Sequence, residues 1–494
     1  CGDIMNEDDN NYDDEDRLYY EGLSQTETPV ATQDSTLPKV VEQYVTSAVE
    51  VSKYNEVPAA MSFYVLLGQL VKDMVAIPQG RRLDDTRIQF IWMQTSGTGK
   101  STLYDFFGPV SRETFQIVNE KYGTNFDIFS VKDTTDAALI GSMEKIQETI
   151  ADEDEPPRTV WIPQQIDGAL EGDGLAAYDE FEYSGVFKQS QHKENVIMYL
   201  NTFMNSLHGE NWIITKKLKD GDTIECRCRR SLFATTYIPK ALTNVIAEKG
   251  VMQRTVIYIK EIPQEVQEEL REQILDEVGV IKSRDTPIKK FAENFVIIYD
   301  TLREHYISSG EDPLRTVKFG RGYVDALKNE SWKLSKYATD SRPEVLEIAA
   351  NFVTRMNQTM IKLSVLCCIA EAPNIKNKDR RFIVTERHAR QASSIIRQCY
   401  KSLVSWLDVA LKVKTQALHE RVGVNAFKKA YSGLLKKGDD GWVNKALLLS
   451  KVREQTKKGQ TTVYRNFNEI SHMFDNKKIG VRAYLKLKEE NKNE

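Results

Sequence analysis

The sequence predicts a mixed α/β protein, with a three-layer core of alternating strands and helices, an all-helical region behind it and a small basic module at the end. Three observations point there. An apolar strand pattern runs straight into a glycine-rich turn between Ile88 and Thr102. Strand and helix periodicities alternate after that turn, as a sheet with helices packed on it demands. From Pro263 the pattern turns helical, and a lysine-rich stretch follows it. These shifts set the expected boundaries: an acidic tail or linker over 1–36, a helical lead-in over 37–87, the α/β core over 88–262, a helical region over 263–419 and a basic module over 420–494.

Composition narrows the class. The 494 residues are 41% hydrophobic and 28% charged, ordinary values for a globular chain with a real core. No apolar run reaches the ~18–20 residues of a membrane span. The best candidate, Met61 to Ile77, is broken by Gln69, Lys72 and Asp73. Cys1, Cys226, Cys228, Cys367, Cys368 and Cys399 show neither a zinc spacing nor a disulfide framework, which fits a reducing, cytoplasmic setting. The chain opens on Cys1 without a signal-peptide pattern, so the expectation is a piece of a longer product, with a lipidated Cys1 as the lesser alternative. Charge is unevenly spread. Residues 1–36 carry eleven acidic residues against Arg17 alone, whereas 421–494 carry seventeen basic residues against eight acidic ones. The first reads as a solvated, unstructured segment and the second as a candidate for polyanion contact, although surface lysines also simply solubilise.

Taken in order, Thr36 is a possible N-cap for a helix with Val40, Val41, Tyr44, Val45, Ala48 and Val49 at helical spacing. A second, more buried helix follows Pro58 and ends by Pro78. Ile88, Phe90, Ile91, Trp92 and Met93 then form a central strand. Gly97 and Gly99 let the backbone behind it curl with its N–H groups turned inward, as a nest for phosphates needs. Lys100 supplies a point charge and Ser101 a hydroxyl placed for Mg²⁺, while the helix that starts there aims its positive end at the same anion. This is the pattern of a P-loop nucleoside-triphosphatase core, with Ser96, Gly97, Thr98, Gly99, Lys100, Ser101 and Thr102 as the contacts to ATP. One departure is Gln94, where the usual pattern begins with glycine. Beyond the helix come a strand over 126–131, a helix opened by Thr134 or Thr135, an exposed acidic loop over 151–158, and strands over 159–166 and 175–182.

Hydrolysis needs a carboxylate for the metal, a group to orient water and positive charge for the transition state. Asp179 and Glu180 stand at the end of a strand of small apolar residues, where ligands bind in such sheets. Asp179 is the expected Mg²⁺ partner and Glu180 the expected base. A second apolar strand, Arg229 to Pro239, ends in hydroxyls, and Thr236 or Thr235 is placed to sense the terminal phosphate, unless both are there for β-propensity alone. Arg254, just before another strand, is a candidate arginine finger toward a neighbouring subunit, with a local salt bridge as the plainer alternative.

Two basic features stand apart from this set. Asp220-Gly221 is a strong hairpin-turn signal, and it puts Lys216, Lys217 and Lys219 at or near the tip of a hairpin just ahead of the hydroxyl-bearing strand. Such a tip suits a phosphate backbone, and it also suits protection of an exposed edge. The end of the chain has the pattern of a winged helix: a helix over Lys445–Gln455, a turn at Lys457-Lys458-Gly459, and a second helix with Val463, Phe467, Ile470, Met473 and Phe474 inward. Thr462, Tyr464, Arg465 and Asn468 then face outward, and Asp475 to Lys478, with Lys477 and Lys478, tip a wing. The second helix of such a module is expected in the DNA major groove, with its lysines on phosphates, although winged helices also serve as protein-docking modules.

Taken together, LPKVVEQYV, QTSGTGKST, AAYDEFE, the basic hairpin, LFATTYIP and GVMQRTV resemble the AAA+-like helicase ATPase domain of phage- and plasmid-encoded replication proteins, often primase–helicase polypeptides. The resemblance extends from about residue 37 to 410 and is also close to superfamily 3 replicative helicases, which place a DNA-tracking hairpin just ahead of the sensor strand. It implies ATP and Mg²⁺ at Lys100 and Ser101, an acidic pair at Asp179 and Glu180, and a trans-acting Arg254. It further implies a ring, expected to be a hexamer, moving on single-stranded or forked DNA in the host cytoplasm. An upstream primase would lie before Cys1. The alternatives are a nucleotide-switched DNA-binding regulator, or an initiator or packaging ATPase that does not unwind.

Overall fold

The computed structural model describes residues 37–488 except 96, 131–135, 151–157, 180, 182–193, 210, 219–220, 239–253, 277–284, 340, 421–423, 436–439, 458 and 481. The expected acidic tail, Ser96, Glu180, Lys219 and Lys458 lie outside the described residues, as do Thr134, Thr135 and nearly all of the acidic loop.

Helix α1 (Lys39–Val51) follows Pro38, and buries Val41, Tyr44, Val45 and Ala48 on one face. Helix α2 (Glu56–Val71) is buried from Val57 to Val71 on every side, which is why its apolar residues show no stripe. Pro58 is tolerated because it falls in the first turn, where backbone N–H groups have no intrahelical partner. A short antiparallel pair, β1 (Ile77–Gln79) and β2 (Arg82–Asp84), leads into β3 (Phe90–Gln94). Helix α3 (Lys100–Tyr122) comes next, then β4 (Phe126–Ser130) and the short α4 (Asp136–Ile140). The strands β5 (Ser142–Ile150) and β6 (Arg158–Ile166) pair with each other, and β7 (Asp173–Tyr178) and α5 (Glu194–Phe203) follow. A second hairpin, β8 (Ile213–Lys217) with β9 (Thr223–Arg227), precedes β10 (Ser231–Thr236) and β11 (Val256–Lys260).

The central sheet has five strands in the order β11-β3-β10-β7-β4, all parallel. A parallel sheet has to be buried on both faces, and its apolar runs are: Phe90 to Met93, Leu175 to Tyr178 and Leu232 to Ala234 are all within 2% of complete burial. Parity identifies the faces. Phe233 pairs with Phe90 and Thr235 with Trp92. Ser231, on the same face, donates to Gln69 of α2, and Phe233 packs its ring against Phe107 of α3 at 4.6 Å. Helices α2 and α3 therefore cover the face that carries Phe90, Trp92, Phe233 and Thr235.

The strand expected over 159–166 forms as β6, but it does not join this sheet. It pairs antiparallel with β5 through nine residues. Gln165 of β6 then accepts from the Glu225 N–H and donates to the Glu225 carbonyl, tying this hairpin to β9.

Helices α6 (Gln264–Asp276), α7 (Asp285–Ser308), α8 (Tyr323–Lys336), α9 (Pro343–Glu371) and α10 (Glu386–Glu420) make up the helical region, with a short parallel strand pair, β12 (Lys318–Phe319) and β13 (Ile383–Val384), between them in sequence. The chain divides into two compact units, the first ending at Trp406 and the second starting at Leu407. Lead-in, sheet and most of the helical region thus share one unit, a coarser division than the sequence pattern suggests. Phe291 and Phe295 of α7 show why: both pack on Tyr44 of α1. The expected boundary near residue 420 falls at the end of α10.

The second unit holds α11 (Val424–Leu434), β14 (Val443–Asn444), α12 (Lys445–Thr456), α13 (Gln460–Ile470), β15 (Phe474–Ile479) and β16 (Arg482–Leu487). The three strands form an antiparallel sheet in the order β14-β16-β15. Asn444 caps α12 by accepting from the Ala446 and Leu447 N–H groups. Val463, Phe467, Ile470, Met473 and Phe474 all belong to its core, with Phe427, Leu448 and Leu485. The wing differs from expectation in one respect. Asp475 to Lys478 are part of strand β15, so the hairpin reverses beyond Ile479, near Gly480, where φ is 61°.

No described helix is long and apolar enough to cross a membrane.

Candidate functional site

The turn between β3 and α3 is held in place by its own side chains. Gly97 and Gly99 have φ of 74° and 86°, conformations that cost an L side chain energy. At Gly99 there is also no room, since a Cβ would meet Ser52 Oγ at 3.0 Å. Lys100 donates its ammonium protons to the carbonyls of Gln94 and Thr95 at 2.8 and 2.9 Å.

Gln94, the departure from the usual pattern, spans the base of the turn. Its amide nitrogen donates to Thr98 O at 3.0 Å and Thr98 Oγ1 at 2.8 Å, and its amide oxygen accepts from Trp92 Nε1 at 2.9 Å. Thr98 Oγ1 in turn donates to Thr95 O at 2.6 Å. A glycine at position 94 would leave the buried indole N–H without a partner, at about 1–3 kcal/mol.

A second grip comes from the connection between α1 and α2. Ser52 Oγ donates to Gly99 O at 2.6 Å, and Asn55 Nδ2 donates to Thr98 O at 3.2 Å and to Ser52 Oγ at 2.8 Å. From the far side, the Ile262 N–H donates to Thr95 Oγ1, and Lys260 Nζ reaches Tyr54 O at 2.6 Å. None of Ser52, Asn55, Thr95 and Lys260 was singled out by the sequence pattern: the first three are short polar residues in connections, which carry no periodic signal, and Lys260 is a lone charge at the end of β11.

Asp179 lies just past the C-terminal end of β7. Its carboxylate accepts from Thr235 Oγ1 at 2.7 Å and from Ser101 Oγ at 3.5 Å. The geometry follows from strand parity: Ala177 pairs with Phe233, so Asp179 continues the face that carries Thr235 and is covered by α3. β10 lies between β7 and β3, which puts Thr235 between the carboxylate and the turn. The sequence left Thr235 and Thr236 open. Thr235 is the one brought to Asp179, whereas Thr236 is on the opposite face, 1% exposed, with a buried hydroxyl that makes no hydrogen bond. Thr102 continues in the first turn of α3 behind Ser101.

The remaining candidates are elsewhere. Arg254 precedes β11, at the opposite end of the parallel strands from the turn. Burial and the nearby Arg355 both push its pKa down. Lys216 and Lys217 lie on β8, but alternation sends them to opposite faces: Lys216 sits opposite Ile224 on the face of buried Ile214 and Cys226, and Lys217 sits opposite Thr223 on the outer face. Lys457 adopts φ 54° at the C-cap of α12, and Lys477 and Lys478 are exposed on β15. Arg465 belongs to α13, but its side chain and that of Thr462 are outside the described residues. Cys226 and Cys228 are buried with their sulfurs 3.7 Å apart, and neighbouring Cys228 and burial push the Cys226 thiol up, as suits packing rather than reactivity.

Among the described residues no cluster of three or more His, Cys, Asp and Glu side chains could hold a metal ion. Ser101 and Asp179 instead offer two hard oxygen donors, the sparse set that suits Mg²⁺ when phosphates and water supply the rest. The chain matches no protein-family model, and no curated protein matches it.

Proposed function

We propose that this protein is a nucleoside-triphosphatase of the P-loop kind, and that it couples ATP hydrolysis to movement on single-stranded DNA as the motor of a ring-forming replicative helicase. The observation that carries the first half is the Asp179 carboxylate, held by Thr235 and facing Ser101, at the C-terminal edge of a parallel sheet beside a turn whose lysine heads a long helix. Lys100 would exchange its two carbonyl acceptors for phosphate oxygens, and inward-turned N–H groups of Gly97 to Lys100 would take others. Ser101 and Asp179 would hold Mg²⁺, which supplies charge neutralisation when bound. Thr235 keeps Asp179 oriented, and Glu180 is the residue to orient water. ATP is the triphosphate of choice for the resemblance noted above.

The second half has its own support. The β8–β9 hairpin stands directly before the strand that carries Thr235, so a change at the phosphates has a short covalent route to Lys217. The second unit has the element order of a winged helix, and it presents Lys477, Lys478, Tyr464 and Asn468 to solvent. A DNA-binding regulator switched by nucleotide, or an initiator or packaging ATPase, would use the same parts with slow or uncoupled turnover.

Steady-state ATP hydrolysis with and without single-stranded DNA tests this. Wild type should accelerate many-fold with DNA, and Lys100→Ala or Asp179→Ala should lose on the order of 10²-fold or more in kcat. A Lys100→Ala protein that turns over ATP at the wild-type rate ends the reading. Turnover that ignores DNA leaves the ATPase and removes the motor.

A further inference from the structure

Arg254 has no hydrogen-bond or ion-pair partner among the described residues, although it is half-buried. It lines a cleft of about 510 Å³ with Asn201, Thr202, Asn205, Asn211 and Ile213, a volume that takes one nucleotide-sized ligand. No described carboxylate lines this cleft. A guanidinium cannot shed its proton, so its partial burial calls for an acceptor, and none of the described residues supplies one. Nearby Arg355 adds to the deficit, since it donates to the neutral Gln358 Oε1 at 2.8 Å rather than to a carboxylate. The cleft also has an acceptor without a donor, because Asn201 Oδ1 is buried and makes no hydrogen bond. A ligand that satisfies both must bring an anionic oxygen and an O–H or N–H group together. Inorganic phosphate brings mainly the first, and a nucleotide brings both.

The wall of the cleft is tied together by hydrogen bonds. Asn205 Nδ2 donates to Asn211 O at 2.7 Å, and Asn205 O accepts from Arg87 Nη2 at 2.5 Å. Arg87 is itself buried against Asp85, which also accepts from the Leu207 N–H. Ile213, at the rim, begins β8, and alternation puts Thr215 and Lys217 on its face. A strip about 13 Å long thus runs from the cleft to Lys217.

We propose that the Arg254 cleft is a binding site for one nucleotide unit of single-stranded nucleic acid, with a backbone phosphate on Arg254 and a sugar or base donor on Asn201. This rests on the reading of the Lys217 hairpin as a nucleic-acid contact, and it gives Arg254 a ligand on its own subunit in place of a neighbour's triphosphate. A duplex phosphate would reach the rim alone, whereas an unpaired nucleotide can enter.

The test is fluorescence anisotropy of a labelled mixed-sequence oligodeoxynucleotide on the full chain, without ATP, across a salt series. Arg254→Ala should weaken binding about tenfold and lower the salt slope by about one, and Asn201→Leu should weaken binding several-fold with the slope unchanged. Arg254→Lys should keep the slope and recover part of the affinity, which excludes misfolding as the cause. If Lys217→Ala weakens binding and Arg254→Ala does not, the cleft is overturned and the hairpin reading stands. If no form of the chain binds the strand, both fall. The cleft is overturned as well if Arg254→Ala binds normally but loses ATP turnover that returns on mixing with Lys100→Ala chains, since Arg254 then serves a nucleotide on a second copy.

Discussion

Two adjacent threonines on one strand show how much a single step of parity decides. Thr235 and Thr236 are chemically the same, and both are within 1% of full burial. Thr235 faces α3 and donates to Asp179, and Thr236 faces the other layer with its hydroxyl unpaired. Valine has the shape of threonine without the hydroxyl, so the two substitutions separate hydrogen bonding from packing. Thr235→Val should lower ATP turnover at least tenfold and raise the Mg²⁺ concentration it needs, because the carboxylate loses the donor that aims it. Thr236→Val should leave turnover near wild type and hold or raise the melting temperature, since it removes a buried hydroxyl with no partner. Kinetics and thermal melts of both variants settle the comparison. If Thr236→Val is the inactive one, the assignment of faces is wrong. The sequence put both threonines at a strand end, but only the pairing register with β3 and β7 says which of them shares a face with Asp179.

At the level of elements, the turn between β3 and α3 depends on the connection between α1 and α2 as much as on its own glycines. Ser52 holds Gly99 O and Asn55 holds Thr98 O, so the helical lead-in works as a clamp on the backbone of the proposed phosphate-binding turn. Ser52→Ala removes one donor to a part-buried carbonyl and the acceptor for Asn55 Nδ2, a loss of about 1–3 kcal/mol in the local structure. The expected result is an ATP KM several-fold higher with kcat reduced less, measured by steady-state kinetics. An unchanged KM would mean that the turn holds its shape without the clamp. A second element-level support is the Asp85–Arg87 pair ahead of β3, both about 1% exposed. Burial alone would raise the Asp85 carboxyl, but Arg87 and Lys362 outweigh it and hold it well below the usual carboxylate range. A depressed folded pKa contributes stability that is complete above the unfolded value, about 3.9, and is lost as pH falls toward the folded one. Melting temperature should therefore drop below about pH 4, and Asp85→Asn should flatten that drop while costing about 3–5 kcal/mol at neutral pH. Of these elements, the strand–turn–helix was legible because its apolar run and glycines are local, and so was the β8–β9 hairpin through Asp220-Gly221. The partner of β6 was not legible, since nothing in its own residues distinguishes pairing with β5 from pairing in the parallel sheet.

The chain divides into two compact units at Trp406/Leu407, and the proposed functions divide the same way. The proposed triphosphatase parts (Lys100, Ser101, Asp179, Thr235, Ser52 and Asn55) all lie in the first unit. The second has a closed core of its own, with Phe427, Leu448, Phe467, Met473 and Leu485 buried among one another. Charge follows the division, because the basic excess over 421–494 belongs to the second unit. A chain cut after Glu420, which keeps all of α10 and with it buried Leu403 and Leu407, should fold and hydrolyse ATP at a basal rate within a few-fold of the whole chain. It should lose affinity for duplex DNA steeply, because the proposed phosphate contacts from Lys457, Lys477 and Lys478 would each release counterions and set the salt dependence of binding. Lys477→Ala with Lys478→Ala in the full chain should reproduce part of that loss with a shallower salt slope, and leave basal hydrolysis alone. Filter binding to duplex and single-stranded DNA, beside ATP turnover of each form, separates the outcomes. A truncated chain that keeps full duplex affinity would move duplex recognition to the first unit, leaving the hairpin to account for it.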